Sequence, residues 1–161
     1  MSTLYALIII AAIFALYYFF GSSSMRGEER KESRPPVDPA QFQSERAYLL
    51  TVATAFAAGE VGNFDELESR FPEVYNLKST VLKEIWENLD DLWMHIPGGK
   101  RGQHEREQTY REMHVIAEVL SYELSELDLA TVYRQVNEAN FTAYNLEGKI
   151  KDLVDQLPSR K

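Results

Sequence analysis

The sequence predicts an all-α protein with a single N-terminal transmembrane helix, a linker, and a soluble bundle of about four to five helices that ends in a long heptad-patterned helix. Three observations support this prediction: an uncharged apolar segment at the N-terminus, a charged stretch with two prolines after it, and helically spaced apolar residues in the rest of the chain. We divide the chain into a transmembrane anchor (1–21), a flexible linker (22–38) and an acidic helical-bundle domain (39–161).

The apolar segment from Leu4 to Phe20 contains no charged residue, proline or glycine. As a helix it is roughly 25 Å long, and with its flanking residues it is just long enough for a hydrocarbon core of about 30 Å. Tyrosines lie at both of its ends, which suits headgroup level. The side chains predicted to form the membrane anchor and to contact lipid are Leu4, Tyr5, Ile8, Ile9, Ile10, Ile13, Phe14, Leu16, Tyr17, Tyr18, Phe19 and Phe20.

A removable signal peptide is one alternative for this segment, because small residues follow it at Gly21–Ser24. The absence of Lys or Arg before the apolar residues disfavours cleavage, as does a length beyond the usual 7–15 residues of such a region. A buried helix of a soluble protein is the other alternative, but a helix apolar on all sides needs a large protein around it. We therefore predict a retained anchor.

The orientation follows from four basic residues that come shortly after the anchor, Arg26, Arg30, Lys31 and Arg34, while none precedes it. The positive-inside rule then predicts a single-pass protein with its N-terminus outside and its C-terminal domain on the cytoplasmic side, or the equivalent side of another membrane.

Composition limits the function of the remaining residues, which number about 125, the usual size of one domain. The chain carries a net charge of −8, so the domain repels phosphate backbones and we predict no nucleic-acid partner. The sequence contains no cysteine, which excludes disulfides, thiolate chemistry and cysteine-ligated zinc.

Capping residues and prolines predict where the first helices of the domain begin and end. Asp38 caps a helix with Pro39 at its first position, and this helix is expected to reach about Ala58. Asn63 and Glu66 form a second capping pattern that opens a short helix before Pro72. The apolar residues of the first helix that share one face are Phe42, Leu49, Val52, Ala53 and Phe56.

The six residues from Gly62 to Leu67 resemble the inter-helix turn of a tetratricopeptide repeat. No second copy occurs at the expected period of about 34 residues, so a repeat protein is not predicted.

The clearest helical pattern of the domain lies between Ser79 and Ile96, where apolar residues recur three and four apart. Trp86 and Trp93 share the face of this stripe, and polar residues fill the opposite side. Large aromatic residues serve as interface anchors, but on this stripe we favour a core position for both tryptophans. A further helix is predicted from Gln103 to about Leu124.

A second apolar stripe alternates three and four residues apart from Leu129 to Leu157, after a predicted break with a cap at Ser125 and Asp128. It predicts one continuous helix of roughly 45 Å with a coiled-coil-like seam. Packing within the chain and contact with another chain both remain open for this seam. The residues predicted to contact a partner helix are Val132, Val136, Ala139, Ala143, Leu146, Ile150 and Leu153.

No motif predicts catalysis, a cofactor, a metal or a small-molecule substrate. Asp91 and His95 have a spacing that can hold a metal, but two ligands do not make a site, and His104 and His114 are predicted on another helix. The glycine-rich turn from Gly98 to Gly102 lacks the spacing of a phosphate-binding loop.

Three hypotheses for function follow. We favour a membrane-anchored adaptor or accessory subunit that docks other proteins within a larger membrane-associated assembly, because the sequence combines an anchor, a linker and a helical domain. The alternative is an organelle-surface receptor that binds basic or amphipathic peptide segments in a groove between helices. A membrane-tethered enzyme of an unrecognised type is the third and least favoured.

Overall fold

The computed structural model describes residues 37–96, 102–139 and 146–160, and every regular element within these ranges is helical. The all-α prediction is therefore confirmed for the part of the chain that the structure describes. The α-helices are α1 (Pro39–Ala57), α2 (Phe64–Arg70), α3 (Thr80–Met94), α4 (Gln103–Ser121), α5 (Glu126–Glu138) and α6 (Leu146–Asp155), and two 3-10 helices span Pro72–Asn76 and Pro158–Arg160.

The predicted membrane anchor and almost all of the predicted linker lie outside the described residues. Within the described ranges, none of the helices has the length and apolarity that crossing a bilayer would require. The anchor at residues 4–20 stays a prediction.

Three of the helices, α1, α2 and α5, begin at the caps that the sequence predicts. The carboxylate of Asp38 accepts a hydrogen bond from the amide of Gln41 at 3.2 Å, and the side chain of Asn63 accepts one from the amide of Glu66 at 2.9 Å. The hydroxyl of Ser125 accepts one from the amide of Asp128 at 3.2 Å. Each cap satisfies an amide that has no partner within its own helix, which fixes the start of that helix.

The hydrophobic core is built around α1 and α4, which pack on each other more extensively than any other pair of helices. The five apolar residues predicted to share one face of α1 are all buried, and Leu49, Val52 and Phe56 are completely buried. A fully buried leucine or phenylalanine side chain contributes about 1.5–3 kcal/mol. α3, α5 and α6 complete the core around this pair.

The prediction of one long helix over residues 129–157 is wrong. The structure has two helices there, α5 and α6, which pack against each other. The hydroxyl of Ser159, after the end of α6, donates a hydrogen bond to the carboxylate of Asp128 in the first turn of α5 at 2.8 Å. The chain therefore returns to the start of α5, and the two helices are antiparallel.

The physical reason for this error lies in the middle of the predicted stripe. Between residues 136 and 150 its apolar positions are filled by two alanines and one leucine. Asn140, Thr142 and Asn145 in the same region have low helix propensity, since their side chains compete for backbone hydrogen bonds. The heptad spacing thus continued through a segment in which helix formation was weakly favoured.

Candidate functional site

Four large apolar side chains are more than half exposed among the described residues, whereas the others lie in or against the core. Two of these four contact the tryptophans of α3, and a third directly follows Trp93 in the chain. Isolated exposed apolar side chains are ordinary, but a group of them on one surface marks a site of interaction. The four residues and their exposed fractions are Phe64 (51%), Tyr75 (54%), Met94 (51%) and Leu127 (78%).

The aromatic rings beside α3 form a continuous row in which each ring contacts the next. Tyr75 contacts Trp86 edge-on at 6.0 Å between ring centroids, and Trp86 contacts Phe56 of α1 at the same distance. Phe56 stacks on Trp93 at 5.1 Å, and Phe64 meets Trp93 edge-on at 5.1 Å. Because Phe56 is fully buried, the row is fixed to the core at its centre and exposed at both ends.

Local sequence explains why these rings meet. Trp86 and Trp93 are seven residues apart, so they lie on the same side of α3, roughly 10 Å apart along the helix axis. The indole nitrogen of Trp93 donates a hydrogen bond to the carbonyl of Val61 at 3.0 Å, which holds this ring against the segment before α2. Tyr75 is presented by the 3-10 helix that Pro72 begins.

The predicted core positions of the two tryptophans are confirmed in different degrees. Trp86 is 7% exposed and belongs to the core, whereas Trp93 is partly buried and packs against it. One side of this aromatic stripe also contributes to the surface, which the helical spacing alone does not predict.

Asp90 lies between the tryptophans, four residues after Trp86 and three before Trp93. Its Oδ1 atom is buried and has no hydrogen-bond partner in the structure. Burial, and then the negative charge of Asp91, raise the pKa of the Asp90 carboxyl. A carboxylate oxygen that is buried without a hydrogen-bond donor lowers the stability of the folded state. Such an unsatisfied oxygen in a native protein often indicates a functional role.

The surroundings of Tyr75 are acidic. Burial raises the pKa of its hydroxyl, and the negative charges of Asp90 and Glu68 raise it further. Arg70, five residues before Tyr75 in the chain, is paired with two other carboxylates, Glu60 at 3.2 Å and Glu66 at 3.4 Å. We call this surface the aromatic face and define it by the residues Phe64, Tyr75, Trp86, Asp90, Trp93 and Met94.

The residues predicted to contact a partner helix have different positions in the structure. Val132, Val136 and Ile150 are completely buried in the chain's own core, and Leu153 is partly buried against it. Ala139 is exposed at the end of α5. Ala143 lies outside the described residues, and the structure describes only the backbone of Leu146. Contact of this seam with another chain stays a prediction.

Asp91 and His95 meet on the surface of α3, where the Nδ1 atom of His95 lies 3.2 Å from a carboxylate oxygen of Asp91. The same nitrogen lies 2.8 Å from the backbone carbonyl of Asp91, so this pair closes the end of the helix. Among the described residues, no group of three or more His, Cys, Asp or Glu side chains is arranged to hold a metal ion.

A second, polar site lies between α3 and α5, in an open cavity of about 140 Å³. The amide of Asn88 donates a hydrogen bond of 2.7 Å to the hydroxyl of Tyr133 in this region, while the Oδ1 atom of Asn137 is buried without a partner. Sites for small organic ligands usually exceed roughly 300 Å³, so this cavity suits a few waters better. Its lining residues are Val81, Glu84, Ala130, Tyr133, Arg134, Asn137 and Glu138.

Comparison of the chain with protein-family models, with curated proteins and with solved structures finds no match. The aromatic face, which combines exposed rings with an unpaired carboxylate, is the site from which a function can be argued. Rings and carboxylates together are suited to binding cationic or amphipathic groups of another protein.

Proposed function

We propose that this chain is a single-pass membrane-anchored helical adaptor, an accessory subunit that docks other proteins within a larger membrane-associated assembly. The apolar segment at residues 4–20 holds it in the bilayer, and the basic residues after that segment place the helical domain on the cytoplasmic side or its equivalent.

The observation that carries this proposal is the exposure of the aromatic face. Phe64, Tyr75 and Met94 are each more than half exposed. Phe64 contacts Trp93, Tyr75 contacts Trp86, and Met94 follows Trp93 in the chain. Aromatic residues and methionine are enriched at protein interfaces, where they provide most of the binding energy. The rigid attachment of this face to the core through Phe56 supports docking further, because few side chains need to be ordered on binding.

Cross-linking mass spectrometry on native membranes tests the proposal with the full-length protein. Lys78 and Lys83 lie at the start of α3, whereas Lys149 and Lys151 lie on α6. We expect the protein in the membrane fraction, with cross-links to other proteins concentrated on the α3 lysines. Recovery of the protein in the aqueous fraction without cross-links to other chains contradicts the adaptor function.

Variants connect the cross-links to the aromatic face. The triple substitution Phe64→Ser, Tyr75→Ser and Met94→Ser removes three exposed anchors, and we expect co-purification of partners to fall by about tenfold or more, since anchors of this kind contribute about 2 kcal/mol each. Leu127→Ser is the matched control, because Leu127 is also exposed and apolar but lies on α5. Equal losses in both variants contradict docking through the aromatic face.

The second candidate function is a receptor for basic or amphipathic peptide segments. The carboxylate of Asp90 favours this function, because its buried oxygen has no hydrogen-bond partner within the chain. An unpaired acidic side chain on the aromatic face attracts a basic peptide, whereas a purely apolar partner would not compensate its charge.

A further inference from the structure

We propose that the aromatic face binds an arginine-bearing basic segment of a partner protein, with the guanidinium group paired to the Asp90 carboxylate and stacked on a neighbouring ring. This inference rests on the proposed docking function and names the chemistry of the partner that the face accepts.

The first argument is the state of the Asp90 carboxylate. The side chain is half-buried, its Oδ1 atom has no donor, and its neighbour along the chain is a second acid, Asp91. Guanidinium offers five donors in a planar fork that matches the two oxygens of a carboxylate. A partner arginine that contacts the exposed part of the Asp90 side chain thus supplies the positive charge that this carboxylate lacks.

The second argument is the rings on either side of this carboxylate. Tyr75 stands edge-on against Trp86, and Phe64 stands edge-on against Trp93, with Asp90 between the two tryptophans along α3. A cation over the face of such a ring is attracted by the electrons of the ring, and the planar guanidinium also stacks on it. Lysine has neither the fork nor the plane, which is why we name arginine.

The third argument is charge complementarity. Glu68 and Asp90 act on Tyr75 electrostatically, and Glu87 follows Trp86 directly. Lys83, one turn before Glu87, is the cation of α3 nearest to these acids along the helix. The excess of negative charge attracts a basic segment and accelerates its association.

The chain contains two tryptophans, both on the aromatic face, so intrinsic tryptophan fluorescence reports on its occupation directly. The experiment titrates the full-length protein in neutral detergent micelles with the synthetic peptide Ac-GSRLSGRLSG-NH2. Control peptides carry citrulline, a neutral isostere of arginine, or lysine at the same two positions. We expect micromolar binding of the arginine peptide that weakens with salt, at least about tenfold weaker binding of the citrulline peptide, and intermediate binding of the lysine peptide.

Substitutions locate the contact. Asp90→Asn removes the charge while keeping the shape, and we expect about tenfold weaker binding, since a lost charge-assisted hydrogen bond corresponds to roughly 1.5–3 kcal/mol. Asp91→Asn is the matched control, because it removes the same charge from the next residue, which faces His95. We expect Asp91→Asn to weaken binding less than twofold.

Two outcomes overturn the inference. These are equal binding of the arginine and citrulline peptides, and equal losses of binding in the Asp90→Asn and Asp91→Asn variants. If the cross-linking experiment identifies partners that depend on the aromatic face while the peptide results are negative, the adaptor function stands and the arginine-bearing partner is wrong. If the peptides bind as expected but no partner is cross-linked in membranes, the site stands and the adaptor function is wrong.

Discussion

Two regions of the molecule take a charged side chain out of water with opposite results. Arg46 of α1 is 6% exposed, and its guanidinium group donates hydrogen bonds to the side chain of Gln43 at 2.8 Å and to the carbonyl of Leu120. Asp90 of α3 is only half-buried, yet its buried oxygen receives no hydrogen bond. The more deeply buried charge is the better satisfied one.

The difference follows from what each region does in the fold. The carbonyl of Leu120 is among the last of α4 and has no partner within that helix, so the guanidinium group of Arg46 both satisfies it and interacts favourably with the helix dipole. Gln43 reaches the carbonyl of Leu124 at 2.7 Å in the same junction. The junction of α1 with α4 satisfies the guanidinium group of Arg46 internally, whereas the aromatic face leaves a carboxylate oxygen of Asp90 unsatisfied. Three substitutions test this contrast.

The largest effect is expected for Arg46→Ala. It leaves the carbonyl of Leu120 without its buried donor and opens a space between α1 and α4, so we expect the free energy of unfolding to fall by about 2–4 kcal/mol. Urea denaturation followed by circular dichroism measures this change. Arg134→Ala, at an exposed position of α5, is the control and is expected to change it by less than about 0.5 kcal/mol. Similar values for both variants contradict the role assigned to Arg46.

An intermediate effect is expected for Tyr133→Phe at the contact of α3 with α5. The hydroxyl that it removes accepts a hydrogen bond from Asn88, and Tyr133 is 3% exposed, so we expect a loss of about 1 kcal/mol. Tyr75→Phe makes the same chemical change on the exposed aromatic face, where we expect a loss below about 0.5 kcal/mol. The two variants can be compared in one series of thermal melts, and a larger loss for Tyr75→Phe contradicts the contrast.

The smallest effect, of opposite sign, is expected for Asp90→Asn. Since the native state holds an unpaired and partly buried carboxylate, its replacement by a neutral amide is expected to stabilise the protein at pH 7 by roughly 0.5–1 kcal/mol, an amount reduced by the remaining exposure. Asp91→Asn, which removes an exposed acid, is the control.

The pH dependence of this gain has a defined sign. Burial and the neighbouring charge of Asp91 raise the pKa of Asp90 in the folded state, so the folded protein takes up the proton first as the pH falls. The ionised Asp90 carboxylate therefore destabilises the folded protein fully at a pH above this raised pKa. This destabilisation disappears as the pH falls from the raised pKa to the ordinary pKa of an aspartate. Melting temperatures of the variant and the natural protein should converge over that interval. If the stabilisation by Asp90→Asn persists unchanged at low pH, it does not come from the Asp90 carboxyl. The titratable groups that interact with Asp90 are Tyr75 and Asp91.

Local signals in the sequence predict the elements of the fold well. The caps at Asp38, Asn63 and Ser125 and the apolar stripe of α3 each depend on residues within one or two turns of helix, and the structure has helices at these places. The antiparallel return of α6 onto α5 depends on contacts between distant residues instead. A heptad pattern is the same whether its two halves form one helix or a hairpin.

The candidate site was predictable only in part. The spacing of Trp86, Asp90 and Trp93 by four and three residues places the acid on the edge of the apolar stripe, whereas the polar residues of this helix were predicted on the opposite side. What the spacing leaves undetermined is the position of Tyr75 and Phe64, which come from the segments before α3. Their exposure depends on the tertiary fold, and the sequence has no periodic signal for it.

The pairing of α1 with α4 has a consequence for how the protein forms during synthesis. α1 is the described helix nearest to the predicted membrane anchor, yet its main packing partner ends at Ser121. Until that residue has left the ribosome, the side of α1 that packs on α4 lacks its main partner, so part of its apolar surface stays open to non-specific contacts. The packing of α1 is therefore completed late in synthesis, although α1 is the first of the described helices to be made.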